Sequence, residues 1–179
     1  SEKHIMPENK LVPVPDGVSD EVASCVTLKG ITAEYLLHRA YPLKKGDKVL
    51  YHAAAGALGQ ILCPWANSIG AEIIGTVGSK EKEEIAKKNG CHHVINYTDK
   101  DFVEEVEKIV VKNGIDVVYD GVGLITFEGS IEVLKIRGMM VAFGNASGYV
   151  DTIDVKKHIN AKGLFFTRPS IAHYTIERD

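Results

Sequence analysis

The stretch Lys48-Val-Leu-Tyr-His-Ala-Ala-Ala-Gly-Ala-Leu-Gly-Gln-Ile-Leu, residues 48–62, constrains this chain more than any other. Val49 to Tyr51 is an apolar run that reads as a buried strand. It ends in a small-residue turn, Ala53 to Gly56, and a helical pattern follows from Leu58. A strand, a glycine turn and a helix in this order leave unbonded backbone N–H groups and the positive end of the helix dipole beside the turn. That arrangement favours an anion, and a diphosphate above all.

The rest of the chain repeats the strand–helix alternation. Strands are expected at Glu72–Val77, His93–Tyr97, Asp116–Asp120, Gly138–Phe143 and Leu164–Thr167. Helices are expected from about Gly56 to Ile69 despite Pro64, and over Lys80–Asn89, Phe102–Val111 and Phe127–Leu134, with a short helical turn at Ile159–Gly163. Such spacing implies an α/β fold, a doubly wound parallel sheet covered on both faces. Right-handed crossovers favour the strand order 3-2-1-4-5-6. Upstream, Lys10–Pro15 alternates apolar residues with prolines, which suits an edge strand or an extended connector. Ser19 is a plausible N-cap, and Gly30 is expected to separate a first short helix from a second over Ile31–Arg39.

Bulk properties exclude several classes of function. With 179 residues, 45% hydrophobic content and a net charge of −3, the chain has material for one large core and no general attraction to nucleic acid or membranes. No apolar run approaches the ~20 residues of a membrane span. Three scattered cysteines, Cys25, Cys63 and Cys91, suit a reducing, cytoplasmic setting better than a disulfide framework. His92 and His93 are adjacent on a strand and point to opposite faces, so they make a poor chelating pair, and no metal site is expected. Glu104, Glu105 and Glu107 read as a solvated helix face. No Ser/His/Asp arrangement suggests hydrolysis.

The glycine fingerprint here is Ala54-Ala55-Gly56-Ala57-Leu58-Gly59, with alanine in place of the first glycine. Gly56 admits a close approach to a diphosphate, and Gly59 admits close packing of the helix on the strand. The end of the second strand discriminates between dinucleotides. An NAD site carries an acid there for the ribose 2′-hydroxyl. This chain has Thr76-Val77-Gly78-Ser79-Lys80-Glu81-Lys82, with no acid at the tip and two lysines close by. That favours the 2′-phosphate of NADP, although Lys80–Glu84 also reads as an ordinary solvated helical turn.

Taken together, several blocks resemble the quinone oxidoreductase (zeta-crystallin-like) branch of the medium-chain dehydrogenase/reductases. They are Leu28–Ala33, Tyr51–Gly59, Ile74–Ser79, Val94–Tyr97, Val118–Gly123, Phe143–Gly148 and Thr167–Ser170, in the family's order. The resemblance implies an NADPH-dependent, zinc-independent reductase of quinones or other α,β-unsaturated carbonyls. A nucleotide-binding module without turnover and an enoyl-thioester reductase of the same superfamily are the alternatives. It implies cofactor contacts at Thr32, Ala55, Gly56, Ala57, Leu58, Gly59, Gly78, Ser79, Lys82, Tyr97, Phe143, Gly144 and Asn145. Of these, Lys82 and Tyr97 resemble the pair that holds the 2′-phosphate and the adenosine ribose, and Thr32 the residue beside the nicotinamide ribose. Phe143, Gly144 and Asn145 resemble the loop backing the nicotinamide. Tyr97 equally suits a buried strand end, Thr32 a self-bonded helix threonine, Asn145 an ordinary turn and Asp120 a loop cap.

The family also has an N-terminal GroES-like catalytic domain. Residues 1–17 resemble its last strand and exit, and 18–179 the dinucleotide-binding domain. The polar residues placed over the substrate belong mostly to the part not present here, so no catalytic residue is named. Family members often form homodimers through a sheet edge, for which 138–143 and 164–167 are the expected elements. Some relatives bind RNA, but nothing in this sequence asks for it.

Overall fold

The computed structural model describes residues 3–176. Six parallel strands form one sheet: β1 (Lys48–His52), β2 (Glu72–Val77), β3 (His93–Asn96), β4 (Ile115–Asp120), β5 (Leu134–Ala142) and β6 (Phe165–Thr167). Their order is β3-β2-β1-β4-β5-β6, as the alternation requires. The helices are α1 (Asp20–Glu34), α2 (Gly59–Ile69), α3 (Lys80–Lys88), α4 (Phe102–Ile109), α5 (Phe127–Val133) and α6 (Ile171–Tyr174).

Period-two alternation sends successive strand residues to opposite faces. Val49, Tyr51, Ile73, Val117, Tyr119 and Val141 enter one apolar cluster with Leu36, Leu37 and Leu62. Leu50, Ile74, Val118 and Met140 enter the other with Val106, Phe127 and Ile131. Both faces are therefore core, which is why the strands read as apolar runs. Tyr119 is fully buried, and its hydroxyl donates to the Leu36 carbonyl at 3.1 Å.

Several boundaries differ from the sequence expectation. Gly30 does not divide the first helix: α1 runs from the Ser19 cap to Glu34, since one interior glycine costs only ~1 kcal/mol against the hydrogen bonds of fifteen helical residues. It continues into a wider π-helical turn at Tyr35–Ala40. Residues 11–15 form no strand, so the connector reading holds. α2 begins at Gly59 rather than Gly56, because residues 53–58 close a separate turn in which the Gly56 N–H donates to the Ala53 carbonyl at 2.8 Å. Pro64 stays inside α2 on an exposed position, so the carbonyl it cannot bond lies towards water.

β5 starts at Leu134, not Gly138. Its register against β4 jumps between the pairs Ile115/Leu134 and Val117/Met139, and Arg137 in between has φ +60°. The turn expected at 159–163 is instead a π-helical turn at Val155–Asn160. α6, capped by Ser170, was not legible. β5 lies between β4 and β6, so 138–143 is interior; the edge strands are β6 and β3.

Candidate functional site

The carboxyl ends of β1, β2 and β4 converge at the switch point of the sheet, where an open α/β fold places its ligand. There Ala53 adopts φ +61° to turn the chain out of β1. Beyond the turn, Ala57, Leu58 and Gly59 make no backbone N–H bond to another described residue. Three unbonded N–H groups at the start of an eleven-residue helix suit a diphosphate. Gly59 is sterically required: a Cβ there would sit 2.2 Å from the Ala54 carbonyl oxygen. Gly56 is tight as well, at 3.0 Å from Ala53 O. Both glycines let backbone approach backbone, as the fingerprint demands.

One strand over, the tip of β2 carries Gly78, Ser79 and Lys82. A Cβ on Gly78 would lie 2.7 Å from the Tyr97 hydroxyl, so the ring of Tyr97 lies against the tip. Tyr97 is 37% exposed, and so is not the buried strand-end tyrosine. Lys82 and Lys80 are exposed, and neither forms an ion pair within 4.0 Å among the described residues. Glu81 and Glu83 stand in the same first turn. No acid occupies the tip itself. The corner thus joins an aromatic hydroxyl, a glycine backbone, a serine and free lysines, a donor set that fits a ribose phosphate.

On the other side of the turn a groove of about 610 Å³ is lined by Thr32, Tyr35, Leu58, Phe143, Gly144, Arg168 and Ile171, among others. Thr32 reaches it from α1 while its hydroxyl donates to Leu28 O at 2.7 Å. That leaves the oxygen able to accept a bond. Phe143 stacks near Tyr51, with ring centroids 6.3 Å apart. Asn145 does not line this groove. It sits in a turn closed by the Gly148 N–H, and its Oδ1 lies 3.4 Å from Arg168 Nη2 beside a neighbouring cavity. Arg168 lines both spaces and was not singled out from the sequence.

Both histidines have structural partners, but of the three acids expected on a solvated helix face only Glu105 does; Glu107 is half-buried, and its Oε1 has no hydrogen-bond partner among the described residues. His92 Nδ1 accepts from the Ile73 N–H at 3.0 Å, and His93 reaches Glu72 at 3.3 Å. Glu105 bonds Lys100 and Lys108 on the surface, which holds its carboxyl below the ordinary range, the Lys108 hydrogen bond contributing most. Among the described residues no cluster of three or more His, Cys, Asp or Glu side chains is arranged to hold a metal ion.

Sequence reasoning missed the polar core beneath the turn. His52 is 1% exposed. Its Nδ1 meets Thr76 Oγ1 at 2.9 Å and its Nε2 meets Ser130 Oγ at 2.9 Å. Burial lowers its pKa, partly offset by the charge of Asp120. Asp120 does cap its loop: Oδ1 accepts from the N–H groups of Val122 (2.7 Å) and Gly123 (2.9 Å). Its Oδ2 accepts from Thr126 at 2.7 Å and from Ser130 at 3.4 Å. The parallel register that sets His52 against Thr76 was the one signal that could have revealed this cluster.

Known proteins place this geometry. The sequence profile of the zinc-binding dehydrogenase family matches residues 57–177. The chain is 47% identical over 181 residues to a 2-haloacrylate reductase of a Burkholderia species, covering 99% of this chain and 54% of that protein. It is 42% identical over 180 residues to quinone oxidoreductase 1 of Escherichia coli K12, covering 100% of this chain and 55% of that protein. Among solved structures, Escherichia coli quinone oxidoreductase complexed with NADPH superposes with a TM-score of 0.89 at 43% identity, over 93% of this chain and 51% of that one. The chain spans about half the length of the curated relatives it matches. With the profile covering most of its length, and the sheet order and glycine turn in agreement, the chain belongs to the zinc-binding dehydrogenase family, in the quinone oxidoreductase branch of the medium-chain dehydrogenase/reductases.

Proposed function

We propose that this chain is the NADPH-binding portion of a reductase acting on quinones or related α,β-unsaturated carbonyls. The observation that carries the reading is the pairing of two features at the carboxyl ends of the neighbouring strands β1 and β2: the unbonded N–H groups of Ala57, Leu58 and Gly59, and the acid-free tip Gly78–Ser79 beside Tyr97 and Lys82. The first suits a diphosphate, the second a 2′-phosphate. A bound NADPH in the Escherichia coli relative and the haloacrylate named for the Burkholderia relative support the cofactor and the acceptor class.

In this reading Ala55, Gly56, Ala57, Leu58 and Gly59 cradle the diphosphate. Gly78, Ser79, Lys82 and Tyr97 hold the phosphorylated ribose. Thr32, Phe143 and Gly144 wall the nicotinamide, and Asn145 acts on it through Arg168. NADPH supplies the hydride. Leu58, Phe143 and Ile171 give the groove apolar surface that keeps water off the ring, and orientation by the walls is the chain's main contribution to rate. Residues 1–17 are the exit of a preceding catalytic domain, and 18–179 the cofactor domain. Two copies pair through the exposed edge of β6.

The test is NADPH oxidation by the full-length protein with 1,4-benzoquinone as acceptor, alongside NADPH binding by the 179-residue chain. Saturable oxidation and binding are expected. Oxidation of NADH in preference to NADPH would overturn the cofactor assignment. Turnover by the 179-residue chain alone would overturn its assignment as a cofactor-binding portion only.

A further inference from the structure

Asp120 ties two groups of loops together. Its carboxylate holds Val122 and Gly123, while its main-chain carbonyl accepts from the N–H groups of Phe143 (2.9 Å) and Gly144 (3.2 Å). Gly121 and Gly144 are then in backbone contact, since a Cβ on Gly144 would lie 2.4 Å from Gly121 O. One residue at the end of β4 therefore sets where the Phe143–Gly144 wall of the groove stands.

The side-chain partners of Asp120 form a chain with one direction. All four groups on its carboxylate are donors, including the Ser130 hydroxyl. With its proton given to Asp120, Ser130 Oγ accepts from His52 Nε2–H, and His52 Nδ1 accepts from the Thr76 hydroxyl. The line Thr76, His52, Ser130, Asp120 crosses the carboxyl ends of β2, β1 and β4 and ends on the residue whose main-chain carbonyl bonds Phe143 and Gly144 of the groove wall. Thr76, Ser130 and Asp120 are each 0% exposed. The edge of Phe102 meets the His52 ring at 5.1 Å and closes it off further.

The geometry points to His52 and Ser130 as positioning residues for the nicotinamide half of the cofactor site, acting through Asp120 on the Phe143–Gly144 wall without touching ligand. The inference rests on the NADPH reading above. It assigns a task to a buried polar cluster that a glycine turn and a phosphate corner do not require. An apolar filling of this space would pack as well, but it would leave the Asp120 Oδ2 with Thr126 as its one remaining side-chain donor.

Binding to the 179-residue chain separates this from plain stabilisation. Titrations use NADPH, followed by its fluorescence, and adenosine 2′,5′-diphosphate, which carries the phosphate corner's ligand and lacks the nicotinamide. In Ser130→Ala we expect NADPH affinity to fall about tenfold and that of the diphosphate to stay within about twofold. Because Ser130→Ala strands His52 Nε2–H, a second variant, the triple His52→Phe, Thr76→Val, Ser130→Ala, removes the stranded imidazole together with its threonine partner. It should regain thermal stability but not NADPH affinity. Recovery of both together would reduce the cluster to a structural role and overturn the inference. So would unchanged NADPH binding in Ser130→Ala. If the unmodified chain binds the diphosphate yet gains nothing from the nicotinamide of NADPH, the inference fails while the phosphate corner survives. If it binds neither, the NADPH reading fails first and takes the inference with it.

Discussion

A methyl group on Gly78 would lie 2.7 Å from the hydroxyl of Tyr97, so these two residues fit only because one of them has no side chain. The contact falls on the far end of a partly exposed ring, which can swing aside. Gly78→Ala is therefore expected to fold with a loss of at most ~1 kcal/mol. Adenosine 2′,5′-diphosphate affinity, read by calorimetry, should drop several-fold as Tyr97 is displaced. Unchanged affinity would remove Tyr97 from the phosphate corner.

Gly59 offers the opposite case. There the obstruction is main chain, Ala54 O at 2.2 Å, and neither partner can rotate away. Gly59→Ala should cost about 1–3 kcal/mol, the usual range for overpacking, in urea denaturation. Gly30, with nothing within 4 Å of a built Cβ and an interior helical position, should gain ~0.5–1 kcal/mol as Gly30→Ala. Equal effects at the two sites would show that the turn is not packed as described.

His52 gives the fold an acid sensitivity. Burial lowers its folded pKa below the ~6.5 of the unfolded chain, with the Asp120 charge acting the other way. A lowered histidine pKa means that stability is fully present above the unfolded value and is lost as pH falls below it, because the unfolded chain then binds the extra proton. As pH falls below about 6.5 the slope should reach ~1.4 kcal/mol per pH unit at most. The surface carboxylates held low by lysines or backbone, Glu105, Glu128 and Asp154, act at lower pH, below their ordinary range. In the triple variant lacking His52 the loss of stability between pH 6.5 and 5 should shrink. An unchanged slope would assign it to other histidines.

The sheet was legible because both of its faces are core. Val49–Tyr51 and Glu72–Val77 are apolar runs bounded by glycines, and the glycine turn fixes where the order reverses. What failed to show was local backbone: a helix that absorbs Gly30, two π-helical turns, and the irregular start of β5, where a positive φ at Arg137 has no glycine to announce it. Of the candidate site, Gly56, Gly59, Gly78 and Tyr97 could be read from spacing and resemblance, and the structure brings the last two into contact. The loop cap at Asp120 could be read too, but the place of Arg168 beside the groove and the hydrogen-bonded chain from Thr76 to Asp120 could not. That chain is assembled by parallel register and by α5, across as many as 78 positions of sequence.

In the proposed site the tip of β2 selects a 2′-phosphate, and Lys82 supplies the exposed charge that meets it. The decisive measurement is the dissociation constant of NADPH and of NADH for the chain and for Lys82→Ala, by fluorescence titration at one salt concentration. NADPH should bind at least about tenfold more tightly than NADH, and Lys82→Ala should remove about that factor from NADPH alone, the equivalent of ~1.4 kcal/mol. Equal affinity of the unmodified chain for the two cofactors, or an equal loss for both in Lys82→Ala, would show that Lys82 and the β2 tip do not select the 2′-phosphate.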